Sequence, residues 1–395
     1  MEVFIIGGGA TGGVLVHFLA EAKEVEAILV GDMNTRKARR FLPNHQKITL
    51  ISLDASNKEK VVAAVKGFDL LINAALPQLN KILLEAALEA GINYQDLASK
   101  WDDAKTEQLD FHEKFKAKNL VGLINASASP GVTNLAAKLL STKLEKVDSI
   151  KIRLLENVSS DVPFTAWSKE PSFDEVTYRP YVWERNKFVR KENFADEEFF
   201  NFPEPFTNRK SYLVAQEEVG TLPLYIKCKS VDLKIGGSDI EFIYTLLKLG
   251  LLKKNLVRLG NALVSPYEFM IKTWPDVPTP EAMKKITSSG KLRDAHFWAA
   301  IVASGTSDKN QPKAGKKTLR ADILFPAQSE VNKLLPGTNY ISYAAGSSAA
   351  LFALEIPKIK ERGVFPLEAL EKEAVESLIE RLKKIGVKIE ITDVS

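Results

Sequence analysis

Val3-Phe4-Ile5-Ile6-Gly7-Gly8-Gly9-Ala10-Thr11-Gly12, an apolar run that breaks into glycines and then into a helical pattern, decides how the first part of this chain folds. A short strand feeding G-x-G-x-x-G opens a dinucleotide-binding βαβ unit. Gly7 permits the tight turn, Gly9 lets backbone approach a pyrophosphate, and Gly12 lets the helix pack closely on the strand. Ala10 and Thr11 fall in the first turn of that helix, whose free N–H groups favour an anion. An acidic residue is due about 20 residues on, at the end of the second strand, and Asp32 stands there.

Outward from this unit, short β-branched runs alternate with helical patterns. Strands are expected at Val3 to Ile6, Ala27 to Val30, Ile48 to Ser52, Leu70 to Asn73, Tyr94 to Asp96 and Val121 to Ile124. A helix from Leu79 to Ala90 carries Ile82, Leu83, Ala86, Ala87 and Ala90 on one face and ends at Gly91. The pattern predicts an α/β fold, a Rossmann-like doubly wound parallel sheet, over residues 1–140. From residue 141 to 340 the texture changes to alternation (Val147, Ile150, Ile152, Leu154), and four of the five tryptophans gather there. We read this as an inserted α+β substrate and dimerisation domain, with a polar, solvent-exposed excursion at Ser304 to Thr318. Residues 341–395 return to α/β texture and are expected to pack back onto the first sheet.

Composition narrows the function. Apolar residues make up 45% and charged residues 26%, enough for a packed core. The net charge of +4 is spread along the chain, so neither nucleic acid nor a membrane surface is an expected partner. A single cysteine, Cys228, can close no internal disulfide, which fits the cytoplasm. The four histidines, at 17, 45, 112 and 296, show no metal-ligand spacing, and no metal is expected.

For the cofactor, Asp32 favours NAD by accepting the adenosine ribose hydroxyls and repelling a 2′-phosphate. Arg36, Lys37, Arg39 and Arg40 argue for NADP, or form a solvated basic face. Asp54, after the third strand, reads either as an adenine contact or as the cap of the helix beginning near Lys58. In open α/β sheets ligands bind beyond the carboxyl ends of the strands, where Asn73, Ala74, Asp96 and the Ser129-Pro130-Gly131 turn all fall. Asn73 can present an amide to cofactor or substrate, and Asp96 can accept a proton or hold an ammonium, or cap a helix. The turn at Gly131 opens a helix whose N-terminus favours a carboxylate. His296, flanked by Asp294 and Trp298, is either an acid/base or a structural residue. Trp167, Tyr178 and Arg179 wall a substrate pocket or belong to a core or interface.

Three stretches carry a resemblance: Asp69-Leu-Leu-Ile-Asn-Ala-Ala-Leu-Pro77, Ala90-Gly-Ile-Asn-Tyr-Gln-Asp96 and Ser129-Pro-Gly-Val-Thr-Asn134. With Trp167-Ser168, Leu249-Gly250-Leu251-Leu252 and Gly363-Val-Phe-Pro-Leu-Glu368, in this order and spacing, the chain resembles the saccharopine dehydrogenase family of saccharopine reductases and L-lysine dehydrogenases. The resemblance implies a Rossmann-like domain completed by the C-terminus, a homodimer, and an NAD(P)-dependent dehydrogenase acting on a CH-NH or CH-NH2 group of an amino acid. It also implies that Glu170, where saccharopine reductases tend to carry arginine, selects an ammonium-bearing substrate. Three departures stand out: Ala126-Ser127-Ala128-Ser129 replaces a loop that usually carries glycine, a histidine is missing before the Glu of Gln216 to Pro223, and Pro171 replaces a glycine. Two other readings stay open, a polyamine-forming amine/aldehyde reductase of the same family and a non-catalytic NAD-binding scaffold.

Overall fold

The computed structural model describes residues 1–100, 106–307 and 315–395. Six parallel strands open the chain: β1 (Glu2–Ile6), β2 (Ala27–Asp32), β3 (Ile48–Ser52), β4 (Leu70–Asn73), β5 (Asn93–Asp96) and β6 (Val121–Ile124). Each lies where β-branched and leucine runs occur, and central β4 and β6 are buried on both faces, as a sheet covered by helices on each side requires. The helix after β4 runs Asn80–Ala90 and stops at Gly91, whose φ of 73° is the left-handed cap expected there.

A second sheet follows, built from β7 (Lys146–Ser160), β8 (Tyr181–Glu184), β9 (Lys187–Arg190), β10 (Glu198–Phe200), β11 (Arg209–Leu213) and β12 (Ser230–Gly236). A separate two-stranded hairpin, β13 (Val257–Leu259) and β14 (Ala262–Val264), precedes β15 (Leu292–Thr306) and β16 (Lys316–Leu324). The order of the second sheet is β10-β11-β12-β7-β15-β16, with the β8–β9 hairpin on β12. On β7 the alternation puts Ile150, Ile152 and Leu154 in the core shared with the first sheet. Arg153 on the other face is also buried, where it pairs with Asp232 at 2.7 Å and with Glu198. Ser304–Thr306 and Lys316–Thr318, expected as part of a polar loop, are strand ends paired across β15 and β16; residues 308–314 lie outside the described residues.

The tail divides between the two sheets. β17 (Gly363–Pro366) pairs with β6 and completes a seven-stranded sheet of order β17-β6-β5-β4-β1-β2-β3. β18 (Lys388–Asp393), expected on the first sheet, instead pairs antiparallel with β16. After the helix Lys372–Leu382 the chain thus takes the edge of β16 and extends the mixed sheet. The fold is thus a Rossmann-like doubly wound sheet plus a mixed-sheet domain. Helix Tyr340–Glu355 ties the two together by lying on the first Rossmann helix, so closely that a Cβ on Gly346 would meet the Thr11 carbonyl at 2.7 Å. Among the described residues no helix is long and apolar enough to cross a membrane, and no group of three or more His, Cys, Asp or Glu could hold a metal ion.

Candidate active site

The glycine-rich turn has the shape that a dinucleotide needs. Gly7 takes a φ of 100°, and a Cβ on it would lie 2.9 Å from the Ala74 backbone; one on Gly12 would lie 2.1 Å from the Gly7 carbonyl. Both positions are closed by the protein itself. Gly9 differs: nothing lies within 4 Å of its Cβ position, and no side chain caps the helix Ala10–Glu21 that it starts. Open space over an uncapped helix N-terminus suits a pyrophosphate. Asp32 at the end of β2 accepts hydrogen bonds from the Gly8 amide (2.8 Å) and the Asn34 amide (2.7 Å), which holds its carboxylate beside the turn. The residues present fit a nicotinamide dinucleotide. Lys37 and Arg40 reach across to the second domain, Lys37 to Asp276 (3.5 Å) and Arg40 to Thr279 (3.3 Å).

From Thr11 and Ala74 a cleft runs over the carboxyl ends of β4, β5 and β6, past Leu97, Ser127, Ser129 and Pro130, to the face of β7 and β15. There it meets Glu156, Trp167, Ser168, Glu175, Glu217 and Phe297. Its described lining contains three carboxylates and no lysine, arginine or histidine. Burial, then the nearby Asp239 charge, pushes the Glu156 carboxyl up to about 8. Glu175 is held well above the usual carboxylate range by burial and by the charges of Glu156, Glu217 and Glu218, against a hydrogen bond from Gln216. Just behind, Glu218 is fully buried and accepts from Thr133 (2.8 Å) and Ser129.

Several expected site residues are placed elsewhere. Asp96 is 0% exposed and does not line the cleft: its carboxylate accepts from the Asn125 amide (2.8 Å) and Gln108 (3.3 Å), and burial pushes it up to about 7. Its neighbours Leu97 and Ala98 face the cleft instead. Asn73 does not present its amide to a ligand; it donates to Asn80 (2.6 Å) and Leu76 and accepts from Ala75, shaping the Ala74–Ala75 wall from behind. His296 lies on the opposite face of β15 from Phe297, against Phe206 and Trp298, as strand alternation dictates.

The helix starting after Gly131 offers no carboxylate site. The amides of Gly131, Val132 and Thr133 go to Asn134, Ser127 and Ala128, and Glu218 already brings a carboxylate to this end; Gly131 itself is absent from the cleft wall. Glu170 is exposed in the first turn of helix Lys169–Thr177, and its carboxylate does not line the cleft. Arg179 points outward to Glu192 at 2.5 Å, and Tyr178 lies under Lys254. Asp54 is exposed and turns onto Ser56, while Asn57 caps the helix Lys58–Val65. Of the substrate candidates, Ser129, Pro130 and Trp167 do line the cleft.

Sequence reasoning missed Glu156, Glu175 and Glu217. One signal was legible: Glu156 continues the parity of Ile150, Ile152 and Leu154, so a carboxylate occupies an inward strand position.

A dinucleotide cradle opening onto a carboxylate-lined cleft defines the class, an NAD(P)-binding dehydrogenase. Residues 3–123 match the model of the saccharopine dehydrogenase NADP binding domain. That match falls on the domain whose motifs carry the resemblance to the saccharopine dehydrogenase family. It is similar to a carboxyaminopropylagmatine dehydrogenase from Synechocystis sp., 25% identical with 94% of this chain and 93% of the relative covered. It is also similar to a carboxynorspermidine synthase from Vibrio alginolyticus, 23% identical with 98% and 96% covered. In fold it matches the saccharopine dehydrogenase (L-Glu forming) of Saccharomyces cerevisiae, with a TM-score of 0.73, 12% identity and full coverage of both chains. The homospermidine synthase of Legionella pneumophila, solved with NAD, matches with a TM-score of 0.63 and 10% identity over 99% of this chain and 91% of that one.

Proposed function

We propose that this enzyme forms or breaks the C–N bond between a cationic amine and a carbonyl compound, as a polyamine-type reductase or dehydrogenase. The carrying observation is the acidic lining of the cleft: Glu156, Glu175 and Glu217, with no cationic side chain among its described lining residues. Such a wall ionises to meet an entering ammonium group and offers no partner to a carboxylate. Saccharopine, which carries more carboxylate than amine charge, is the poorer fit. Lysine, with one ammonium beyond its zwitterion, is the better-suited amino acid and stands as the second reading. The two relatives named for agmatine and norspermidine derivatives support the amine reading.

Bound in the cradle, the nicotinamide supplies or accepts the hydride. The chain's own residues do the rest. Trp167 and Phe297 exclude water around the reacting carbon, and Glu156 holds the amine end. Glu175, kept protonated by its surroundings, donates a proton to the carbinolamine oxygen as water leaves to give the imine, and takes one back in the reverse direction. Ser129 is fixed by Glu218 at the cleft wall, where it orients the substrate.

The test is oxidation of NADPH and NADH by the purified protein with diamines plus short aldehydes, run beside the reverse reaction of lysine and of saccharopine with NADP and NAD. Turnover with the diamine mixtures is expected. Faster turnover of saccharopine overturns the reading, and cofactor binding without any turnover marks a scaffold.

A further inference from the structure

The cleft does not end at Glu156. Glu156 and Trp167 also wall a second chamber, which continues between β7 and the helices Lys169–Thr177 and Ser238–Lys248. Phe164 and Val158 line its body, Asp239 lies at its wall, and Phe242 and Trp274 stack at 5.2 Å with an interplanar angle of 29°. Phe242 is 43% exposed, so this pair stands at a mouth open to solvent.

The inner acidic groups of this chamber, Glu156 and Asp239, have no cationic partner among the described residues. The Glu156 carboxylate makes no hydrogen bond or ion pair among the described residues. Asp239 has only neutral partners, the hydroxyls of Tyr340 (3.4 Å) and Ser238 (3.3 Å). The nearby cation, Lys169, is turned away onto the Trp274 carbonyl (3.0 Å) and Asp276 (2.8 Å), and Asp161 at the rim is taken by Arg293 (2.5 Å). Two sequestered carboxyl groups with no cation beside them are costly to ionise unless a ligand brings one. Stacked aromatic faces add attraction for the same kind of ligand, and the apolar body between suits methylenes. Burial pushes Asp239 up to about 6, which a bound cation would reverse.

We propose that this second chamber binds the distal cation of the substrate, an ammonium or guanidinium on a flexible methylene chain, at Asp239 with the Phe242–Trp274 pair as its aromatic wall, while Glu156 between the chambers keeps the reacting amine end. The inference rests on the reading of the first chamber as the place where the amine reacts. It makes the substrate a dication and gives the protein a means of rejecting monoamines and ω-amino acids of the same length.

The experiment compares butylamine, 1,4-diaminobutane, agmatine and 4-aminobutyrate as amine donors, with NADPH and one short aldehyde, using the full chain. The two dications are expected to exceed butylamine in kcat/KM by about tenfold or more, with 4-aminobutyrate lowest. In Asp239→Asn that selectivity over butylamine should fall by about tenfold, and in Trp274→Leu by roughly threefold. Equal kcat/KM for butylamine and the dications, or an unchanged ratio in both variants, overturns the chamber while leaving the amine reading intact. If no amine reacts, the first reading fails, and calorimetry of agmatine with the NADPH-loaded protein decides the chamber separately. Binding that is lost in Asp239→Asn upholds it, and absent or unaltered binding overturns it.

Discussion

Glu156 and Phe297 are cross-strand partners on β7 and β15, and both side chains face the cleft. An aromatic ring beside an inward carboxylate lowers the local polarity, so the charge is strong toward a cation that enters. Glu156→Gln keeps the shape and removes the charge. The KM for a diamine should rise by about tenfold or more, with the dissociation constant of NADPH changed less than twofold or so; steady-state kinetics and fluorescence titration of the cofactor separate the two.

The same carboxylate sets a pH dependence. A cation binds its ionised form, and with the free group at about 8, binding at neutral pH must release a proton. The diamine KM should therefore fall as pH rises toward 8, and buffers of different ionisation enthalpy should report proton release in calorimetry.

Thermal stability of the free protein should show the opposite sign from ordinary acid denaturation. Glu156 (about 8), Asp96 (about 7), Glu368 (about 7) and Asp239 (about 6) all hold protons in the native state that the unfolded chain releases nearer pH 4. Where the native state binds more protons, stability falls as pH rises, here between about 4 and 8. Differential scanning fluorimetry should show the melting temperature dropping across that interval and a polyamine restoring part of the loss at pH 8.

In the cradle, Gly9→Val and Gly12→Ala should fail differently. The space beyond Gly9 is open, so the valine variant should fold with native circular dichroism and lose cofactor binding. At Gly12 a Cβ meets the Gly7 carbonyl at 2.1 Å, so even alanine should displace the turn and lower the melting temperature. Asp32→Asn, which keeps an acceptor for the Gly8 amide, should raise the preference for NADPH over NADH by about tenfold by removing the charge that repels a 2′-phosphate.

Three substitutions at residues placed outside the cleft should spare the chemistry. His296→Ala, Glu170→Arg and Arg179→Ala touch a rear-face aromatic cluster and the exposed surface, and each should change kcat/KM by less than about twofold. A large loss in any of them would show that the cleft extends farther than its lining indicates.

The cofactor half of this protein was readable from one dimension. Its signals, the glycines of the turn, Asp32 and the β-branched runs, lie within single βαβ units, where a glycine's conformational freedom and a strand's period act over a few residues. The catalytic half was not. Asp96, Asn73 and the Ser129–Gly131 turn do sit at strand ends as topology demands, but which side of the backbone each side chain takes, and which amide claims it first, is settled by partners such as Asn125, Asn80 and Glu218. Glu156, Glu175 and Glu217 come from a strand, a helix and a helix start up to 61 residues apart, so only packing brings three carboxyl groups to one wall. The last strand shows the same limit: its apolar alternation marks it as β, but which of several strand edges it joins, here that of β16, is decided by where the chain runs in the closed fold. Local geometry is written in neighbouring residues, whereas the meeting of distant acidic groups and strand edges follows from how the whole chain closes.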